Sequence, residues 1–376
     1  MLLRLHTTPL DKKRINYVGW VGHNNMGDEG IYEVNKNIFE PYQLVPYKKE
    51  HCSKISLLGG GTLFPGLISD VMPNRYNYVY SVGVRDPSFW GDFHPVMIVY
   101  KKRFNFRCIG ARDSASKKLL AAWGIDSIVV GDPCLLLEPL QYGNRKDTKI
   151  AINVGSDGFV WGWNEEKVFI EIAKVCRLLR RKGYRPVLIP FCKKDLSNIK
   201  MISRVTKTEI FSGWTDIQAV LNFVASCHML IGERLHSLVF SAATYTPFIS
   251  IEYRPKCRAF AETVGFEDYN IKTDTLVAER VMGMVKNLSD NWAEMEKHLM
   301  ENVKIYRKKL RTFANYIKKD IDSLQNDKWT PSALEKTKWF LNIHRRILIH
   351  ELSIIKRHQL QIRRARLNCM NVGKLC

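Results

Sequence analysis

Residues 228–256 read HMLIGERLHSLVFSAATYTPFISIEYRPK, and this stretch decides the fold class. His228 to Gly232 is a short apolar run ended by glycine, the pattern of a strand buried in a parallel sheet. Ser237 to Ala243 is a run of small and apolar residues that predicts a helix, and Pro247 to Tyr253 predicts the next strand. The order is strand, turn, helix, strand, with Arg234 and His236 on the turn. In an open α/β sheet such a turn lies at the carboxyl end of a strand, where ligands bind. The helix that follows aims its free N–H groups and positive dipole end at the same place. Arg234 adds a planar fork suited to phosphate or carboxylate, and Ser237 opens the helix beside it. His236 adds a group able to carry a proton near neutral pH. Lys256 closes the following strand on the same edge as a second cation. Together these residues predict an anion site with an acid–base group inside it.

The same alternation runs along most of the chain. Ile15 to Val21 predicts the first strand, followed by Gly22-His23-Asn24-Asn25-Met26-Gly27-Asp28-Glu29-Gly30 and a helix through Phe39. A loop built to cradle pyrophosphate would not carry two carboxylates at its helix start. Asp28 and Glu29 either complement the helix dipole, worth about 0.3–1 kcal/mol, or bind and deprotonate hydroxyl groups. Ile55 to Leu58 is a second strand, ended by Gly59-Gly60-Gly61-Thr62; three glycines there imply a close approach to the backbone or positive φ. Tyr78 to Val84 is a third strand, leading to Arg85-Asp86-Pro87, and 89–103 is an aromatic, irregular segment suited to face a substrate. Phe106 to Ile109 is a fourth strand before Gly110-Ala111-Arg112-Asp113-Ser114 and a helix stopped by Gly124. Arg112 there either contacts an anion or braces its loop through Asp113. Ile128 to Val130 and Gly131-Asp132-Pro133 close the first unit. After a polar, turn-rich linker at 141–147 the alternation restarts with Lys149 to Val154, a helix over Glu165–Lys182 ended by Gly183, and a strand over Arg185–Phe191.

A chain of 376 residues holds two domains of ordinary size. Its nine cysteines are odd in number, scattered, and never spaced Cys-x-x-Cys. That pattern argues against a disulfide framework and a zinc site and fits a reducing compartment. Neither an N-terminal apolar leader nor a membrane-length apolar run is visible, so the expectation is a cytoplasmic protein. The net charge of +21 predicts acidic partners. Residues 338–376 hold nine Lys or Arg against one acid, which places +8 of that excess in the last tenth of the chain. From Trp339 onward the pattern is a basic amphipathic helix, suited equally to an anionic membrane surface and to a docking face on protein. No nucleic-acid motif accompanies the charge.

Taken in order, Asn25-x-Gly27-Asp28-Glu29, the glycine triplet, Arg112-Asp113-x-x-Ser116, Gly131-Asp132-Pro133, Arg234-x-His236 and Tyr253-x-x-Lys256 resemble the motifs of the polysaccharide pyruvyl transferase family. The resemblance covers about residues 15–265; the Arg85-Asp86-Pro87 turn departs from it, where the family has a small or Gly-rich turn. It implies two Rossmann-like α/β domains in a glycosyltransferase-B-like arrangement, an acceptor-side domain over 1–140 and a donor-side domain over 149–275. A helical segment over 276–337 and the basic tail over 338–376 follow. It also implies phosphoenolpyruvate as co-substrate, with no cofactor or metal, and transfer of its pyruvyl group to two hydroxyls of a sugar or lipid-linked oligosaccharide. On that reading Arg112, Arg234, Lys256 and Ser237 bind the donor and Asn25, Gly60 and Gly61 the acceptor. His236 protonates the donor's methylene carbon, and Asp28 or Glu29 handles the hydroxyls. A nucleotide-sugar-dependent glycosyltransferase of the same architecture is the alternative, with Glu252 as its one candidate for gripping a ribose.

Overall fold

The computed structural model describes residues 13–47, 53–64, 76–90, 106–141, 148–155 and 158–324. The linker at 141–147 apart from its first residue, most of the aromatic segment at 89–103, and the basic tail lie outside these residues.

Two six-stranded sheets, parallel throughout, form the frame. The first contains β1 (Arg14–Val18), β2 (Gln43–Pro46), β3 (Ile55–Leu58), β4 (Tyr76–Val82), β5 (Phe106–Ala111) and β6 (Ile128–Val129), in the spatial order β2-β1-β3-β4-β5-β6. The second contains β7 (Lys149–Asn153), β8 (Arg185–Leu188), β9 (Glu209–Ile210), β10 (Met229–Gly232), β11 (Phe248–Glu252) and β12 (Asn270–Lys272), in the order β12-β11-β10-β7-β8-β9. All four residues of β3 and of β10 and all five of β11 are buried, as continuous apolar runs covered on both faces require.

The helices are α1 (Met26–Ile38), the single turn α2 (Pro87–Trp90), α3 (Ser114–Ala122), α4 (Glu165–Arg181), α5 (Leu196–Thr206), α6 (Ile217–Ala225), α7 (Leu235–Ala243), α8 (Pro255–Val264), α9 (Ala278–Asp290) and α10 (Trp292–Ser323). α4 has the sequence grammar of a long surface helix. Asn164 caps it by accepting from the Lys167 N–H, Glu165 and Glu166 occupy its first turn, and Arg180 and Arg181 its last. α7 is buried over most of its length, which is why its sequence is small and apolar. Three boundaries differ from the sequence expectation. α1 begins at Met26, so Asp28 and Glu29 lie within its first turn. β2 was not foreseen: four residues ending in proline carry too little pattern. α8 begins at Pro255, whose fixed φ suits the first helical position, so Lys256 sits on a helix start and not at the end of a strand.

In an open α/β sheet the strand order reverses at a switch point, where a crevice opens at the carboxyl ends. In the first sheet this point lies between β1 and β3, the strands that lead into Asn25–Glu29 and the glycine triplet. In the second it lies between β7 and β10, which lead into Gly155 and Glu233–His236. The two switch points meet. The Met26 N–H donates to the Phe191 carbonyl at 2.9 Å, and Asn25 forms a β-bridge with Cys192 on the loop after β8. One buried apolar cluster runs through both units, from Ile15 and Tyr80 to Phe240 and Phe313.

α10 crosses from the second unit to the first. Arg307, near its middle, is buried and donates to the carbonyls of Leu135, Leu137 and Ala243 and to Tyr245 Oη and Glu138. Further along, Asp320 accepts from Tyr78 and Arg107, Asp322 accepts from Tyr42, and Phe313 stacks on Tyr80 at 6.4 Å.

Candidate active site

Gly27 and His236 are 209 residues apart in sequence and in direct contact in space. A Cβ built on Gly27 would stand 1.9 Å from His236 Nδ1, so only glycine lets the ring lie against α1. On its other side, His236 Nε2 faces Asp132 Oδ2 at 3.7 Å, beyond hydrogen-bond range. Both atoms are buried and neither has a hydrogen-bond partner. The other oxygen of Asp132 accepts from the Cys134 N–H at 3.0 Å, capping the short turn that opens with Pro133. Asp132 was not among the expected site residues. Before a proline it looks like an ordinary cap, and a cap uses only one of its oxygens.

Arg112 is 1% exposed, and its guanidinium lies against Gly83, where a Cβ would come within 2.5 Å of Nη2. Its Nε donates to Asp113 at 3.2 Å, and its Nη1 has no partner. Asp113 in turn caps α3 by accepting from the Ser116 N–H at 2.7 Å. Arg112 is therefore braced by its neighbour while part of its fork stays open. It lines a cleft of about 270 Å³ between the two units. The first unit contributes Thr62, Arg85, Asp86 and the start of α3, and the second contributes Arg254, Lys256 and the start of α8. Asp113 already caps α3 and lines the cleft with Asp86, whereas no side chain among the described residues caps the first turn of α8, so one open helix N-terminus and four cations outweigh two carboxylates there, an anion site in physical terms. Arg85 is part of it, and also lies over the Trp90 ring at 5.5 Å.

The electrostatics differ from the sequence expectation at His236. Burial together with the positive charges of Arg112 and Lys256 pushes its pKa down to about 3, so the imidazole is neutral at pH 7. Asp28 moves the other way. Burial, with Glu29 and Asp132 adding to it, raises its carboxyl to about 7 against the pull of Lys256 and Arg112. Burial also raises the Asp132 carboxyl above its ordinary range, opposed by Arg112.

Other expected site residues have structural tasks. Arg234 pairs with the buried Asp195, Nη2 to Oδ1 at 2.7 Å. Asp195 also accepts from the Phe191 and Cys192 N–H groups, so the pair fixes the loop that bridges to Asn25. Arg234 is thus a brace for the junction and not a cleft-lining donor ligand. Ser237 is fully buried and donates to the Arg234 carbonyl at 2.7 Å, which holds the turn. Glu29 is turned back to accept from the Gly22 and His23 N–H groups at 2.7 and 3.2 Å. Asn25 caps α1 by accepting from the Gly27 N–H at 3.2 Å. Gly60 packs on Ile31 and the Ser81 carbonyl, while Gly61, at φ +85°, stands beside Asp28 Oδ1. Glu252 is held by Trp161 Nε1 at 2.9 Å and Asn270 Nδ2 at 2.7 Å, which engages both of its oxygens.

Asp132, Cys134 and His236 bring three metal-ligating atoms within 4.8 Å of one another, a grouping the scattered cysteines did not suggest. Burial and the adjacent carboxylates push the Cys134 thiol well up, and Arg112 and Lys256 act on His236 from nearby.

A model of the polysaccharide pyruvyl transferase family matches residues 5–255. The chain belongs to this family. It is also 29% identical over 80 residues to the amylovoran biosynthesis protein AmsJ of Erwinia amylovora, a match spanning 21% of this chain and 19% of that protein. Among solved structures, S. aureus MnaA with UDP superposes with a TM-score of 0.54 at 12% identity, over 85% of this chain and all of that one. A glycosyltransferase from Rickettsia africae gives 0.48 at 12% identity, over 84% and 100%. At 12% identity the likeness to MnaA speaks for the fold alone, two Rossmann-like domains arranged as in the glycosyltransferase-B class. Membership of the family supports a transferase role in glycan synthesis. No helix among the described residues is long and apolar enough to cross a membrane.

Proposed function

We propose that this protein transfers the pyruvyl group of phosphoenolpyruvate to two hydroxyls of a sugar, forming a cyclic ketal. The cleft carries the reading: Arg112, Arg254, Lys256 and the uncapped N-terminus of α8 suit a small ligand bearing both a phosphate and a carboxylate. The chemistry requires a proton on C3, which makes C2 an oxocarbenium-like electrophile. One sugar hydroxyl adds to C2, and a second displaces phosphate from it. The two hydroxyl protons balance the reaction, one ending on the new methyl group and the other on the released phosphate.

The electrostatics support an order of events. Burial is the first cause of the neutral state of His236, and the charges of Arg112 and Lys256 add to it. An anion bound between these two cations offsets their part and raises the basicity of the imidazole, which favours delivery of the proton to C3 when the donor is present. Asp28, half ionised near pH 7, is the group suited to receive a hydroxyl proton. Asp132 steadies the ring on its far side. The glycosyltransferase reading loses support at Glu252, whose carboxylate is already held by Trp161 and Asn270.

The test is phosphate release from phosphoenolpyruvate by the purified protein, with and without a panel of glycosides, together with carbon NMR. Acceptor-dependent release with a new ketal carbon is the expected result. Absence of release across the panel, combined with stabilisation by a nucleotide sugar and none by phosphoenolpyruvate, would overturn the reading.

A further inference from the structure

Five aromatic rings meet at the mouth of the cleft, two from the first unit and three from the second. Phe89 and Trp90 stand on α2; Phe159, Trp161 and Trp163 follow β7. Trp90 lies 5.8 Å from Phe159, Phe159 lies 5.8 Å from Trp163, and Phe89 packs on Trp161 at 4.9 Å and Trp163 at 6.0 Å. Trp90 and Phe159 line the cleft itself. Arg254, also in its wall, lies over the Trp90 ring at 4.9 Å.

The cluster is held in place and turned outward. Trp161 is fixed through its hydrogen bond to Glu252 and by Lys272 over its ring at 4.4 Å. Gly162 and Trp163 both have positive φ, +76° and +54°. For a residue as bulky as tryptophan that backbone is strained, and it leaves the ring 54% exposed. Apolar burial does not explain a strained turn that presents a tryptophan to solvent.

We infer that this rim is a subsite for a second sugar residue of the acceptor. The C–H face of a pyranose packs on an aromatic ring while its hydroxyls reach polar groups at the edge, here Arg254 and Lys272. Trp90 and Phe159 continue into the cleft, so a sugar ring on Trp163 belongs to the same chain as the sugar that meets the donor bound at Arg112 and Lys256. Each step between rings is comparable to one residue of a glycan. The substrate is then an oligosaccharide or longer chain, free or lipid-linked, and not a monosaccharide. This rests on the proposed transfer to a glycan and specifies its acceptor.

The experiment separates the two. Tryptophan fluorescence of the full chain is titrated with gluco-, manno- and galacto-configured tetraoses and with the corresponding free hexoses, without donor. Wild type is expected to respond to at least one tetraose far more tightly than to its hexose. Trp163→Ala, a change at an exposed ring, is expected to weaken that binding about fivefold to tenfold. Its phosphoenolpyruvate affinity, measured by calorimetry, should stay unchanged. In turnover the same variant should raise the acceptor KM and leave kcat alone. No tetraose response in the wild type, or equal tetraose binding by Trp163→Ala, overturns the inference. Tetraose binding that depends on Trp163 in a protein that never releases phosphate leaves the rim standing and overturns pyruvyl transfer.

Discussion

Replacing Gly27 by alanine should separate catalysis from folding. The added methyl would sit 1.9 Å from His236 Nδ1, and ordinary contact begins at 3.4 Å. The ring must therefore retreat by about 1.5 Å, toward Asp132 or out of the pocket. The backbone penalty is small, because Gly27 lies in the first turn of α1 with no positive φ. Overpacking costs about 1–3 kcal/mol, and alanine returns up to about 1 kcal/mol of helix propensity. Stability should thus fall by no more than about 3 kcal/mol. Displacing a proton-transfer group by more than 1 Å typically lowers the rate about 100-fold, or about 2.7 kcal/mol in the barrier. Arg112 and Lys256 are untouched, so donor affinity should hold. The assay is steady-state phosphate release beside urea melts and calorimetric phosphoenolpyruvate binding. A Gly27→Ala protein with kcat within threefold of wild type would refute the reasoning, and so would a loss of donor affinity as large as the loss of rate.

Four further outcomes follow from the structure. Phosphoenolpyruvate binding at pH 7 should take up protons, because it offsets the cations that restrain Asp28, already raised to about 7, and that add to burial in holding His236 down; calorimetry in buffers of different ionisation enthalpy should show uptake reduced in Asp28→Asn and absent in the double variant with His236→Ala. The Asp28 carboxyl, raised to about 7, ionises only as pH passes that value, so kcat/KM should climb through pH 7 and Asp28→Asn should lose both activity and that limb. The same raised pKa means that the folded state holds a proton the unfolded chain has lost, so this group's burial weighs against folding increasingly as pH rises toward 7, and Asp28→Asn should melt higher than wild type at pH 8. Arg307→Met should lower stability by at least about 3 kcal/mol in urea titrations, since the carbonyls of Leu135, Leu137 and Ala243 lose a charged donor at once.

The parallel sheets were readable because strands such as β3, β7 and β10 are short apolar runs closed by glycine, and because the runs recur with helices between them. The meeting of Gly27 with His236 was not readable, since nothing in either stretch names the other. What can be seen afterwards is a glycine inside a helical first turn, where glycine is otherwise unfavourable. Arg234 looked like an anion ligand because its pairing partner, Asp195, is 39 residues away and belongs to a loop with no pattern of its own. Ser237, Asn25 and Glu29 have the residue types that serve either ligands or helix starts, and type alone does not choose between them. Lys256 was placed on a strand because Tyr253-Arg254-Pro255 continues an extended run by eye, whereas Pro255 opens a helix. The neutral state of His236 depends first on its burial between the two units and then on two cations from distant segments, and was beyond any local reading.

α10 also has a consequence for how the chain is made. A ribosome delivers β1 to β6 first, and the residues that cover Tyr42, Tyr78 and Tyr80 come from the far end of the described chain, at Leu310, Phe313, Asp320 and Asp322. Throughout synthesis of the second unit, the first sheet lacks its cover. The first unit, translated before the second, is thus among the last parts to be completed, and a nascent chain interrupted before residue 310 exposes a tyrosine-rich apolar face to the chaperones around it.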